Sequence, residues 1–204
     1  MNAMISLLII VSLSIIVSLS IVAGLIVIHE FGHMLAGYIL GIPKNKMSMQ
    51  FINREKKKNF IHAIVFCITP HIALLDDNNQ KIAPSPDPNQ MGKYVDILEN
   101  YIPCEKKMFW YVAGGHAFEF IIIISIVVIS LISNLKMVQQ LAFEITNMAL
   151  ILTAIYLLME LFSYIKSKEL TGGDFTGQWE ISSVKTIMFY LIYFTGLICA
   201  WFLL

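Results

Sequence analysis

The chain has 204 residues, of which 57% are hydrophobic and only 14% charged, and its mean hydropathy is +0.73. That composition excludes an ordinary soluble domain and marks a membrane protein. Fourteen basic and fourteen acidic residues cancel to a formal charge of zero, and the basic residues form no aromatic-interleaved patch suited to nucleic acid, so no nucleic-acid partner is expected. Cys67, Cys104 and Cys199 contain no CxxC pair, which argues against a thiolate metal site or a disulfide framework. Without a linker, tandem repeat or low-complexity tract, residues 1–204 read as one domain.

The first apolar span runs from Met4 through Ile28 and on to Ile42, longer than the roughly 20 residues that cross a hydrocarbon core. No basic residue precedes it and no small-residue cleavage site follows, so it reads as a retained helix. Within it, "VIHEFGHMLAGYILGIP" places His29 and His33 four residues apart, on one face of a helix and close enough to bind one metal ion. Glu30 flanks that site and can take a proton from a water held there. This is the H-E-x-x-H spacing of zinc hydrolases. Ionisable groups at membrane depth are costly, which favours a functional reading.

Two histidines leave a tetrahedral zinc short of a third protein ligand, the fourth place being kept for water. His62, His71, His116, Asp76, Asp77, Glu119, Glu144, Glu160 and Asp174 are the candidates. The spans Met108 to Leu135, Met137 to Ile165 and Val184 to Leu204 complete a set of four. Asp174 lies in "ELTGGDFTGQW", a glycine-rich break after the third span, where unwound backbone can turn back and aim a carboxylate at the first helix. The plain alternative is a turn aspartate among glycines. Ten of the fourteen basic residues fall between Gly41 and Lys107, and three more (Lys166, Lys168, Lys185) flank the third-to-fourth connection. The positive-inside rule makes both segments cytoplasmic, so the histidines and Asp174 are expected toward the cytoplasmic side of a multi-pass protein. "NREKKKN" reads as a solvated turn and "QKIAPSPDPNQ", with its prolines, as an exposed loop.

HEFGH inside a transmembrane helix, a following Gly-Ile-Pro and a later aspartate beside glycines resemble the site-2 protease family of intramembrane zinc metalloproteases. The resemblance covers most of residues 15–178. It implies an α-helical integral membrane protein of about four transmembrane helices, with a small membrane-associated β-structured loop, here residues 41–107, after the first. "NKMSMQFI" and "NFIHAIVFCITPHIALLDD" have the β-branched and aromatic content of paired strands. "MFWYVAGGHAFEFIIII" looks like the opening of the family's second core helix. There the chain carries His116 and Glu119 where many members have Pro and Asn, and either can act as a transition-state hydrogen-bond donor or a partner behind a ligand. Alternatively, His116 is simply satisfied by Glu119. By resemblance and zinc chemistry together, His29, His33 and Asp174 would hold one Zn²⁺. Glu30 would serve as general base, and the substrate would be a transmembrane or membrane-associated peptide within the lipid bilayer. The segment Ile61 to Ile72, through Ile61, Ala63, Val65 and Cys67, is expected to offer an edge strand to the unwound substrate, with Pro70 ending the pairing. Two alternatives remain: another membrane-embedded zinc peptidase acting on loop or soluble substrates, with a carboxylate such as Glu160 as third ligand, or a non-catalytic membrane scaffold.

Overall fold

The computed structural model describes residues 2–50, 70–85, 87–167 and 173–204. Among these, four helices are long and apolar enough to cross a membrane: α1 (Asn2–Leu40), α3 (Glu105–Ser133), α4 (Lys136–Ser167) and α6 (Ser183–Leu203). They match the four expected spans within a few residues. Between α1 and α3 lie the strands β1 (Met47–Gln50), β2 (His71–Leu75) and β3 (Lys81–Ile82) and the helix α2 (Pro88–Tyr101). The eight-residue helix α5 (Asp174–Ile181) precedes α6.

At 39 residues α1 is about 58 Å long, well beyond the hydrocarbon thickness. Its first half, from Ile5 to Leu19, is almost wholly exposed within the chain, as a lipid-facing surface would be. Only the second half packs, and it packs on α3. The approach is close because it runs over small residues: a Cβ on Gly32 would meet the Gly114 carbonyl oxygen, and one on Gly114 would meet the Ala36 Cβ. The helix ends where the sequence provides a left-handed residue. Gly41 sits at φ +116°, its N–H bonds the Tyr38 carbonyl, and the Ile42 N–H bonds the Gly37 carbonyl at 2.9 Å. Ile42, now buried, anchors the turn and Pro43 blocks continuation.

Two apolar clusters lie on either side of the histidines. One gathers Ile42, Ile72, Leu74, Leu98, Ile102 and Tyr111, tying the sheet and α2 to the end of α1. The other gathers Leu25, Ile123, Val127, Ala149, Tyr193 and Leu197 from all four long helices. The sheet is antiparallel in the order β1-β2-β3, with Met47 opposite Leu74 and Gln50 opposite His71. β3 covers only Leu74 and Leu75 of β2.

Among the described residues of 41–107, the expected small sheet is joined by α2, which occupies fourteen residues. The stretch read as an exposed loop in fact contains this helix's start. Asp87 caps it by accepting from the Asn89 N–H at 3.1 Å, and Pro88 opens the first turn. Asp-Pro followed by Met91, Tyr94, Val95 and Leu98 was the available signal. The proposed edge positions Ile61, Ala63, Val65 and Cys67, together with His62 and "NREKKKN", lie outside the described residues.

Candidate metal centre

His29 and His33 are one turn apart on the face of α1 that meets α3. Each has its outer nitrogen fixed by an acceptor. His33 Nδ1 lies 3.0 Å from the Tyr111 carbonyl oxygen, and His29 Nδ1 lies 3.3 Å from Glu119 Oε2. A carbonyl or carboxylate oxygen can only accept, so in both rings Nδ1 carries the proton and the neutral imidazole turns a bare lone pair inward at Nε2. The Tyr111 backbone is held in turn by a 2.7 Å bond between its hydroxyl and that of Tyr94. Burial pushes the Tyr94 hydroxyl well above its ordinary pKa range, so that anchor stays neutral.

The third group comes from α5. Asp174 Oδ2 is 2.8 Å from His29 Nε2 and 3.0 Å from His33 Nε2, and the two Nε2 atoms are 3.2 Å apart. Tetrahedral ligands at zinc bond lengths of about 2.0–2.1 Å stand about 3.3 Å from one another. The three atoms therefore form a triangle of the right size for one ion. Their chemistry fits as well: two imidazole lone pairs and a carboxylate oxygen facing each other repel unless a cation lies among them. Burial works against the charge on Asp174, but when protons on the inner nitrogens stand in for an ion, the imidazoles of His33 and His29 outweigh it and hold its carboxyl well below the usual carboxylate range. Gly115 of α3 completes the cradle, since a Cβ there would press on His33 Nε2 and on the His29 ring.

Asp174 does not sit in unwound backbone, as the glycine-rich sequence suggested. It is the first residue of α5, with Gly173 as N-cap. Glu160 instead accepts from the Thr176 N–H at 3.0 Å. Glu119 is buried with its Oε2 between His29 Nδ1 and His116 Nδ1, the latter at 3.5 Å, longer than an ordinary hydrogen bond. His116 stands edge-on to His29 with ring centroids 4.4 Å apart, and beside Tyr190 and Tyr193. Its nearest nitrogen closes a second grouping with His29 and Asp174, but one spread over up to 4.8 Å, so the triangle with His33 is the tighter fit. Glu30, next to His29 on α1, lies near both imidazoles and Asp174, with its carboxylate beside the backbone of Ile72 in β2. That contact and the Tyr111 carbonyl were missed from sequence because backbone groups leave no trace in residue identity; the paired glycines before His116 were the one visible sign of close packing.

The family model described as Peptidase family M50 matches residues 17–203. The chain belongs to peptidase family M50. This is the site-2 protease family of membrane metallopeptidases, so the resemblance carried by HEFGH and Asp174 is kinship. No curated protein and no solved structure matches the chain. As an M50 peptidase with four apolar helices, the protein is an integral membrane protein.

Proposed function

We propose that this M50 peptidase is an intramembrane zinc metalloprotease that hydrolyses a peptide bond in or near a transmembrane segment of its substrate. The observation that carries this reading is the convergence of His29 Nε2, His33 Nε2 and Asp174 Oδ2 within 3.2 Å, with both Nδ1 atoms already committed as donors. These three residues hold one ion and leave one tetrahedral position open. When bound, zinc supplies a lowered water pKa and a polarised scissile carbonyl. Glu30 takes the proton from the attacking water and returns it to the leaving amine. Its nearness to Ile72 sets it beside β2, where Ile72 and Ala73 pair with β1 on one side and with no other strand among the described residues. An unwound substrate segment can bond along that edge, so that its freed N–H and C=O groups are satisfied inside the bilayer. Glu119 orients His29, and His116, edge-on to that ring, donates to the developing oxyanion. The ten basic residues between Gly41 and Lys107 support a cytoplasmic orientation for this end of the bundle.

The test is Glu30→Gln on purified, full-length protein, with zinc content and cleavage of a transmembrane peptide measured together. The amide has the same shape and no usable base, so zinc should stay near one per chain while cleavage falls by at least a hundredfold. Cleavage surviving above a few per cent removes Glu30 from the mechanism. A chain without zinc in either form, and without cleavage, points instead to a membrane scaffold.

A further inference from the structure

We infer that Glu160 is the latch that presents Asp174 to the histidines: a positioning residue on α4 that caps the helix carrying the third metal-binding group. The inference rests on the zinc reading above only for what Asp174 binds. An eight-residue helix is too short to persist on its own. Its first N–H groups need acceptors, yet the N-cap is Gly173, which has no side chain to offer. Glu160 supplies the missing cap from a neighbouring helix. Its carboxylate accepts from the Thr176 N–H at 3.0 Å and lies 3.3 Å from the Thr176 hydroxyl. That hydroxyl is also 3.0 Å from the Gly173 carbonyl, which closes the turn. The two residues are fitted to each other, because a Cβ on Gly173 would fall on the Glu160 carboxyl group. The start of the small helix is thus held to α4, and Asp174, its first residue, is aimed by bonds made two residues away.

Groups that orient a metal-binding residue typically change affinity by 10- to 100-fold when removed. Glu160→Ala should therefore weaken zinc binding by that factor in chelator competition with the full chain. Glu160→Gln, whose carbonyl oxygen still accepts, should stay within about threefold of wild type. The decisive variant is Glu160→Ala combined with Gly173→Asp, which moves the cap to the N-cap position in the space the glutamate vacated. Gly173→Asp alone should be damaging, and the pair should recover to within about threefold of wild type, a strongly non-additive cycle. Additive losses, or wild-type affinity in Glu160→Ala, overturn the latch. If Glu160 were itself a ligand, Gly173→Asp would rescue nothing. Should Glu160→Ala not fold, Thr176→Val removes one bond to the same carboxylate and should weaken zinc binding about threefold; unchanged affinity overturns the idea. Amide hydrogen exchange separates this from the zinc reading, since faster exchange confined to Thr176 in Glu160→Ala is expected with or without metal. A wild-type chain that binds no zinc but shows this effect keeps the latch and loses the protease.

Discussion

Replacing Gly115 with alanine tests whether the histidines are held where an ion needs them. The new Cβ would stand about 2.5 Å from His33 Nε2 and 2.6 Å from the nearest atoms of the His29 ring. Ordinary contact is about 3.4 Å or more, so both imidazoles must retreat by roughly 0.9 Å. Forcing a side chain off its rotamer costs about 0.5–1.5 kcal/mol. Two rings moved together cost about 1–3 kcal/mol, which at about 1.4 kcal/mol per decade is a 5- to 150-fold loss of zinc affinity. Global stability should hardly change, because alanine gains about 1 kcal/mol over glycine in a helix interior and partly offsets the crowding. Gly32→Ala is the contrasting control: its Cβ would meet the Gly114 backbone, which cannot swing aside, so that variant should lose thermal stability first. The assay is chelator competition paired with thermal unfolding in detergent. Wild-type zinc affinity in Gly115→Ala would refute the geometry of the site.

Asp174→Ala should lose the third donor and lower zinc occupancy by more than tenfold, while Glu144→Ala leaves it near wild type; elemental analysis decides, and full occupancy in Asp174→Ala would send the search to His116. Without metal, protons on the two imidazoles take the cation's place and Asp174 remains ionised far below the ordinary carboxylate range. A depressed folded-state pKa contributes stability that is full above the unfolded value of about 3.9 and is lost as pH falls through the folded one. The melting temperature of the chelated wild type should therefore exceed that of Asp174→Asn near neutrality, and the gap should close only below about pH 4; a gap that closes at pH 6 contradicts the pairing.

The sequence by itself determined the helices and half of the site. Four runs of apolar residues long enough to cross a bilayer can only be helices there, since an unpaired backbone is intolerable in hydrocarbon. The period of 3.6 residues forces His29 and His33 onto one face whatever surrounds them, and Gly41-Ile42-Pro43 stops α1 by local backbone chemistry. Asp87-Pro88 was equally local but was hidden among prolines that suggested a loop. Tertiary structure alone decided which carboxylate meets the two histidines. Asp174 and Glu160 are both plausible from their positions along the chain, and the choice between them is made by helix α5, whose N-terminus needs one acceptor from outside and takes Glu160, leaving Asp174 to turn toward the histidines. The tautomer of each histidine was likewise out of reach of the sequence, because it is set by a carbonyl 78 residues away and a carboxylate 90 residues away. Residue identity encodes what a group can do locally; which group it faces depends on packing between helices distant in the chain, here on glycines that let α1 and α3 approach until His29 reaches Glu119.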